Sequence, residues 1–483
     1  MNAFCPVICH VLDEDEPHSY GSLETALNAI RTNATEVWKL EVAVRRLEPT
    51  PEAFLLELLD HVQDTVQELT LNVLPSAAMG RQCPVFALAP DRFPKLMHLS
   101  LDGFYPLGLD RAFSNVRVLE LSSNFNGGTR FPLDHFLEAM GTWTALQELR
   151  LHNFMRVFTD EPPPNHFRLP VALPLALTNI VVEDTPQEIY HFLAHLHLPS
   201  YINLHIIATS DSFPLDATKL FTVLTPTPYP SLEAAEDRLD LPILRKVREV
   251  TVDFTNVPTI TGRTERGESI TFQLQSPPPS MNNPMGLGHV GFLRAIIRRL
   301  PELFTTGRNI PAKESVSSLT VIGETVAINS HLWLRPLRAY ERLQKLHVTD
   351  LSSGDPIALF DALAETAQDA PYVVCPGLYR VDVKKALVRP GTEQLKRIAQ
   401  VLRKRQQGGC PILDMALSLR VACDCPWSLE QVRDHVCKYL EPQFAHTSTV
   451  GLELEVAYRK DNQYTRFTIE RERRQALAAQ RYQ

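Results

Sequence analysis

At residues 116–124 the chain reads Val116-Arg117-Val118-Leu119-Glu120-Leu121-Ser122-Ser123-Asn124. The apolar residues Val116, Leu119 and Leu121 are separated by three and then two positions, and Asn124 follows three positions later. Because side chains alternate between the two faces of a strand, Leu119 and Leu121 share one face. This spacing predicts a short strand with one apolar face that points into a core and one polar face.

The same apolar frame recurs along most of the chain, at intervals of 20 to 69 residues. One such unit cannot bury its apolar face alone, whereas a stack of units can, and the spacing matches the leucine-rich-repeat signature L-x-x-L-x-L-x-x-N. The sequence therefore predicts an α/β fold, a leucine-rich-repeat solenoid with irregular strand-helix repeats and a curved parallel sheet. The further copies are Val37/Leu40/Val42, Val66/Leu69/Leu71, Leu96/Leu99/Leu101, Leu146/Leu149/Leu151, Leu177/Ile180/Val182, Tyr201/Leu204/Ile206, Val247/Val250/Val252, Val316/Leu319/Val321, Leu343/Leu346/Val348, Leu378/Val381/Val383, Ile412/Met415/Leu417 and Thr449/Leu452/Leu454.

Helix signals lie between these strands. Thr185-Pro186-Gln187-Glu188 is a capping box with proline at the first helical position, and Ser428 with Gln431 forms a second box. Glu393 to Gln407 predicts another helix, closed by Gly408-Gly409, on which Arg403-Lys404-Arg405 is interpreted as a solvated face. Strands that alternate with helices favour a parallel sheet.

The repeat pattern divides the chain into five parts. Between the repeats, Thr259 to Gln275 alternates polar and apolar residues, which predicts a β-hairpin, and the prolines that follow predict a loop. The five parts are an acidic leader outside the repeats at 1–20, N-terminal repeats at 21–255, the insertion at 256–310, C-terminal repeats at 311–465, and a charged tail, expected to be helical, at 466–483.

The composition excludes several classes of protein. The net charge of -8 argues against binding to nucleic acid, and the chain has no apolar run long enough to span a membrane. Met1 to His10 lacks the basic start of a secretory signal, and eight cysteines in 483 residues do not form a disulfide scaffold. We expect a cytoplasmic or nuclear protein that binds neither nucleic acid nor membrane.

Several segments resemble the fungal F-box/leucine-rich-repeat proteins. Three successive repeats end in an aromatic residue after Asp-Gly, Ser-Asn or His-Asn, and they are similar to the middle of that family. A capped helix ending in Leu-His-Leu-Pro and a basic helix ending in Gly-Gly-Cys-Pro-Ile-Leu are also similar to it. The resemblance implies the substrate-recognition body of a ubiquitin-ligase receptor, a protein without catalytic activity of its own. The segments are Phe93 to Phe104, Phe113 to Phe125, Trp143 to Phe154, Pro186 to Pro199 and Leu395 to Leu413.

The start of the chain departs from that family. An F-box is a helical module of about 40 residues, and Met1 to Tyr20 is too short and too acidic to hold one. Either the module is encoded upstream of Met1 or it is lost. We therefore expect binding to the ubiquitin-ligase adaptor only if an F-box is present upstream. The alternative is a stand-alone leucine-rich-repeat scaffold without a role in ubiquitin transfer.

A third alternative is a nucleotide- or metal-dependent enzyme. Gly286-Leu287-Gly288-His289-Val290-Gly291 matches G-x-G-x-x-G, but prolines precede it where a dinucleotide site needs a strand, which favours a loop that enters a helix. His191, His195 and His197 with Glu188 could place three zinc ligands on one side of a helix, but histidines on the exposed face and C-terminal end of an amphipathic helix are the plainer interpretation. The group Cys410, Cys423, Cys425, His435 and Cys437 lacks the C-x-x-C pairs that zinc sites usually have. We assign no catalytic residue, no cofactor and no metal site.

The polar face of the predicted sheet is the expected binding surface. Its outward positions mix charges and short polar groups, as a protein-recognition surface does, and carry no catalytic arrangement. We predict that an unidentified protein partner binds this concave face, where the central repeats carry the densest set of charged side chains. The predicted partner-binding residues are Asp102, Glu120, Glu148, Arg150 and His152.

Overall fold

The computed structural model describes residues 7–11, 23–44, 49–73, 85–87, 92–107, 115–123, 133–155, 170–209, 218–224, 239, 241–275, 286–304, 316–325, 328–351, 355–365, 373–388, 393–423, 429–440, 449–458 and 464–472. The chain divides into two units, unit 1 at Met1–Thr209 and unit 2 at Ser210–Gln483. The division falls after Thr209, whereas the sequence pattern places the end of the N-terminal repeats at 255.

Unit 1 is built on parallel strands. The strands are β1 Val7–Val11, β2 Lys39–Val44, β3 Glu68–Val73, β4 Val85–Ala87, β5 His98–Asp102, β6 Tyr105–Leu107, β7 Val118–Ser122, β8 Glu148–His152, β9 Val171–Ala172, β10 Asn179–Asp184, β11 Leu196–His197 and β12 Asn203–Thr209. Among the described residues of this unit, one sheet has the order β1-β2-β3-β5-β7-β8-β10-β12, and each strand is parallel to the next. The short strands β4 with β6 and β9 with β11 form separate parallel pairs. Its helices are α1 Leu23–Asn33, α2 Pro49–Val62, α3 Leu133–Thr142 and α4 Pro186–Ala194, with a 3-10 turn at Ala34–Glu36.

Unit 2 combines parallel and antiparallel strands. Its strands are β13 Val247–Asp253, β14 Thr259–Thr264, β15 Ser269–Gln275, β16 Ser318–Gly323, β17 Lys345–Asp350, β18 Arg380–Val388, β19 Asp414–Cys423, β20 Thr449–Tyr458 and β21 Tyr464–Glu472. Strands β13, β16, β17, β18, β19 and β20 are parallel in that order, whereas β15, β14 and β13 form an antiparallel meander and β21 is antiparallel to β20. Its helices are α5 Thr218–Thr222, α6 Gly286–Leu303, α7 Ser330–Ala339, α8 Ile357–Ala364, α9 Glu393–Gln407 and α10 Leu429–Leu440, with a 3-10 turn at Pro242–Lys246. The fold is thus mixed α/β with a mostly parallel sheet.

The apolar frame forms the core of this architecture. On the adjacent strands β5, β7 and β8, the side chains alternate between buried and half-buried, and the six buried ones have no exposed surface. The predicted parallel arrangement of these strands is therefore confirmed. The six are Leu99, Leu101, Leu119, Leu121, Leu149 and Leu151.

One copy of the frame is shifted by a residue. Tyr201 is 38% exposed, whereas Ile202 is 2% exposed and covers the start of β12. Ile202, directly before β12, covers the turn into the strand in place of Tyr201 and lies two positions before the buried Leu204. The prediction that Tyr201 leads this copy is wrong.

Local signals explain several helix starts. The Thr185 hydroxyl accepts a hydrogen bond from the Glu188 amide at 3.4 Å, with Pro186 at the first helical position, as the capping box predicts. Asn329 caps α7 in the same way, since its side chain accepts from the Leu332 amide at 2.9 Å. These caps satisfy amide groups that have no partner within the first turn.

Both ends of the chain differ from the sequence prediction. Val7–Val11 pairs along its length with β2, so part of the predicted leader belongs to the sheet. Tyr464–Glu472 is a strand, so the prediction of a helical tail is wrong over residues 466–472, and residues 473–483 lie outside the described part. The reason in both places is the content of β-branched and aromatic residues, which favour strands over helices.

None of the helices in the described part of the chain combines the length and the apolar character that a membrane crossing requires.

Candidate functional site

Four of the five predicted binding residues meet on the polar face of unit 1. Strand β8 places Glu148, Arg150 and His152 on this face because Leu149 and Leu151 alternate with them and point into the core. Strand register brings Glu120 of β7 opposite Arg150. The fold thus brings side chains that are 28 to 32 residues apart in sequence into one cluster.

Strand β10 adds a fifth member that the sequence prediction omits. Glu183 is in register with His152, and its Oε2 lies 2.9 Å from His152 Nδ1. The signal was present in the sequence, because the frame at Leu177/Ile180/Val182 leaves Asn179, Val181 and Glu183 on the outward face. We name Glu120, Glu148, Arg150, His152 and Glu183 the charged network.

Arg150 joins two of the carboxylates. Its Nε donates to Glu148 Oε1 at 2.8 Å, and one terminal nitrogen lies 3.6 Å from Glu120 Oε2. The hydrogen bond to Glu148 raises the pKa of Arg150, although partial burial opposes that shift. Arg150 therefore stays charged and holds carboxylates from two strands close together.

His152 lies between the other pair of carboxylates. Its Nδ1 faces Glu183 Oε2 at 2.9 Å, and its Nε2 lies 3.9 Å from Glu120 Oε1. The hydrogen bond with Glu183 raises the pKa of His152 above its usual value of 6.5, against the effect of burial and of the Arg150 charge. The network thus gains positive charge as the pH falls through that raised value.

Asp102 extends the acidic surface by one more strand. It is in register with Ser122, which is in turn in register with His152. Two strand spacings, about 9–10 Å, therefore separate the backbones of Asp102 and His152. The structure places Asp102 on the same face as the charged network, toward β3.

Unit 2 carries a second set of ion pairs on its polar strand face. His347 Nδ1 lies 3.4 Å from Asp382 Oδ2, Lys384 Nζ lies 3.6 Å from the same oxygen, and Arg380 pairs with Asp414 at 3.2 Å. Burial alone would raise the pKa of Asp382, but the hydrogen bond with His347 and the nearby positive charges lower it on balance. His347, Lys384 and Arg380 on this face thus form local pairs of opposite charge with Asp382 and Asp414.

The glycine motif lies within a helix. All six residues from Gly286 to Gly291 belong to α6, so the predicted loop at this position is wrong. A dinucleotide site uses the glycines in the turn between strand and helix. Because the whole motif is helical, it does not form that turn, and its conformation gives no support for a nucleotide site.

The histidine cluster has a structural account. His195 Nδ1 lies 2.6 Å from the His191 carbonyl oxygen, so His195 satisfies a carbonyl at the end of α4. Burial, and then the charge of His195, lowers the pKa of His191. Within the described ranges, no three or more His, Cys, Asp or Glu side chains cluster closely enough to hold a metal ion.

Of the predicted cysteine group, Cys410 is a half-buried free thiol, and Cys425 lies outside the described residues.

The prediction from sequence is wrong for one basic residue, Arg405. Arg405, predicted on a solvated helix face, has no exposed surface and donates to the carbonyl oxygens of Leu363, Val374 and Cys375 at 3.1, 2.9 and 2.9 Å. Burial lowers the pKa of the Arg405 guanidinium below its usual value. Arg405 is a structural residue of unit 2 and not part of a binding surface.

The arrangement on unit 1 is therefore a partly exposed set of paired charges on adjacent strands, which suits recognition of another molecule by polar contacts. Comparison of the chain with models of known protein families gives no match, and comparison with curated proteins gives none either.

Proposed function

We propose that this chain is a leucine-rich-repeat solenoid that recognises another protein with the polar strand face of unit 1. Three features support the interpretation as a solenoid. They are the parallel strands in chain order, the helices between them and the buried repeat frame. A stack of strands presents its outward side chains as one continuous surface, and such surfaces bind proteins in repeat architectures.

The charged network is the observation that carries the proposal. Three consecutive strands, β7, β8 and β10, hold five charged or titratable groups at fixed spacing. Their side chains are 18% to 40% exposed, so they remain accessible to a partner. Because strands already fix the backbone, a partner that pairs with these groups orders few additional side chains, and this lowers the entropic cost of binding.

The ubiquitin-ligase role is the more specific part of the proposal. It rests on the resemblance of segments such as Phe93 to Phe104 and Trp143 to Phe154 to the fungal F-box/leucine-rich-repeat proteins. In that role the strand face binds the substrate, and an F-box binds the adaptor. The alternative, a scaffold without an F-box, uses the same strand face. Retention of purified adaptor by residues 1–483 would count against the need for an upstream module.

The test is the capture of partner proteins by a double variant and a matched control. Glu120→Gln with Glu148→Gln removes two acidic members of the network, and Glu138→Gln with Glu430→Gln removes the same charge from exposed helix positions. We expect the strand-side variant to lose captured partners while its unfolding free energy changes by about 1 kcal/mol or less, since partly exposed ion pairs contribute little to stability. Loss of partners from the helix-side control instead would refute the assignment of the strand face.

A further inference from the structure

We propose that the partner of the unit 1 strand face is a basic polypeptide segment, rich in lysine or arginine. This inference rests on the proposed function and specifies the chemistry of the partner. The observations that support it are the balance of charges on this face, the contrast with the corresponding face of unit 2, and the hydrogen-bonding atoms that the face leaves without partners.

Carboxylates dominate the unit 1 strand face. At the outward, half-buried positions of the strands from β2 to β12, there are six carboxylates but only two lysine or arginine side chains. Arg150 and Lys39 each pair with acids already on the face, so the surplus of negative charge remains. The carboxylates are Glu41, Glu68, Asp102, Glu120, Glu148 and Glu183.

Unit 2 provides an internal comparison. Its parallel strands have the same alternation of buried and outward side chains. At the outward positions of β13 and β16 to β19 whose side chains the structure describes, however, four carboxylates stand beside three lysine or arginine residues. A strand face therefore needs no large acidic surplus to remain solvated. The surplus in unit 1 is a separate property of that surface. The seven charged residues at these outward positions are Glu249, Asp253, Asp382, Asp414, Lys345, Arg380 and Lys384.

Three polar atoms on the unit 1 face are shielded from solvent without a hydrogen-bond partner in the described part of the chain. They are Asn72 Oδ1 on β3, His98 Nε2 on β5 and Thr209 Oγ1 on β12. Asn72 is in register with Asp102, so the acceptor lies beside the acidic residues. Polar atoms hidden from water usually have partners. A basic segment brings N–H donors, which suit an amide oxygen next to carboxylates.

The side chains between the acids are compatible with an extended segment. Val118, Val181 and Ile207 are half-buried outward residues on β7, β10 and β12. They offer short apolar contacts between the charged positions. Arg150 already shows how a guanidinium binds on this surface, since it contacts Glu148 and Glu120 at once. An arginine or lysine of the partner would meet the same kind of carboxylate pair.

The experiment measures binding of a fluorescein-labelled peptide of alternating lysine and alanine by fluorescence anisotropy. A peptide of the same length with glutamate in place of lysine is the ligand control. The protein variants are Glu120→Gln with Glu148→Gln on unit 1, and Glu249→Gln with Asp414→Asn on unit 2, which remove equal charge. Thermal melts of both variants verify that they fold.

We expect the lysine peptide to bind the full chain, and the glutamate peptide not to bind. The unit 1 variant should bind about 2- to 30-fold more weakly, because each exposed ion pair changes the affinity by about 1.4- to 5-fold. The unit 2 variant should change little. Raising the salt from about 0.05 M to about 0.5 M should weaken binding to the full chain, since salt screens exposed charges.

Equal weakening in the two folded variants would mean attraction to net charge alone and would overturn the inference. No binding of the lysine peptide would overturn it as well. Failure of the proposed function gives a different result, because captured partners would then be lost from the helix-side control and kept by the Glu120 and Glu148 variant. Partner capture that depends on Glu120 and Glu148, without binding of the lysine peptide, leaves the function standing and the basic partner refuted.

Discussion

Replacement of Arg405 by methionine should destabilise unit 2 strongly. The Arg405 side chain lies in α9 with no exposed surface, and its terminal nitrogens donate to three main-chain carbonyls. Leu363 lies at the end of α8, and Val374 and Cys375 precede β18. One guanidinium thus ties the last turn of a helix to the segment that leads into the next strand.

The magnitude follows from which carbonyls lose their donor. Cys375 O also accepts from the Leu378 amide at 3.0 Å, so it keeps a partner in the variant. The carbonyls of Leu363 and Val374 lose the bonds from Arg405, and a buried polar group without a partner costs about 1–3 kcal/mol. The opposing effect is relief from burying a guanidinium whose Nε has no partner in the described part of the chain. We expect the loss of these hydrogen bonds to outweigh the relief from burying the guanidinium, with a net decrease of about 2–5 kcal/mol in the unfolding free energy.

Urea denaturation monitored by circular dichroism measures this cost. Arg403→Met is the matched control, because Arg403 is exposed on the same helix and should change the unfolding free energy by less than about 0.5 kcal/mol. A stability of Arg405→Met equal to that of the control would show that the burial penalty cancels the hydrogen bonds. A more stable variant would contradict the reasoning outright.

Three further predictions concern the core and the charged network. Leu119→Asp should cost at least about 4 kcal/mol of unfolding free energy, because it places a charge in a site without solvent; a well-folded variant with a melting temperature near that of the parent would contradict the core. Gly262→Ala should lower the unfolding free energy by about 1–3 kcal/mol, because the added carbon would lie 2.6 Å from the Phe304 ring. Gly291→Ala, which adds a carbon in open space on α6, should raise the unfolding free energy by about 0.5–1 kcal/mol. The opposite order in thermal melts would refute this packing. The pKa of His152 is higher in the folded protein than in the unfolded chain, so the stability that its pairing contributes is fully present below the unfolded value of about 6.5 and is lost as the pH rises through the folded value. In urea melts, His152→Gln should therefore lower the unfolding free energy more near pH 6 than near pH 8.5. A larger effect at the higher pH would show the predicted direction to be wrong.

The sequence predicts the strands better than it predicts the ends of the chain. The two-residue period of the frame is strong evidence, because a shift by one residue would expose every leucine of a strand. Leu119 and Leu121 illustrate this, since both are fully buried as predicted. At Tyr464–Glu472 the charged residues suggested a helix, but the alternation of Thr465, Phe467 and Ile469 is the better signal for a strand.

The binding surface was predicted in part. The outward positions follow from the frame, whereas the contacts between Glu120, Arg150 and Glu183 depend on register between distant segments. The prediction that Arg405 is solvated is wrong because it treats Arg403-Lys404-Arg405 as one basic run. Its spacing of four from Val401 and seven from Ile398 puts it on the buried stripe of α9. Its carbonyl partners lie 30 to 42 residues away, and no local pattern reveals them.

The most direct test of the central claim is site-specific photo-crosslinking in cells. A photo-reactive amino acid at Ser122 places the probe on the strand face between Asp102 and His152, and the same amino acid at the exposed His135 of α3 places it on a helix. If the strand face of unit 1 is the recognition surface, the Ser122 probe forms a discrete covalent adduct that disappears with Glu120→Gln and Glu148→Gln. Adducts that form only from His135, or that persist unchanged in the double variant, would contradict the account.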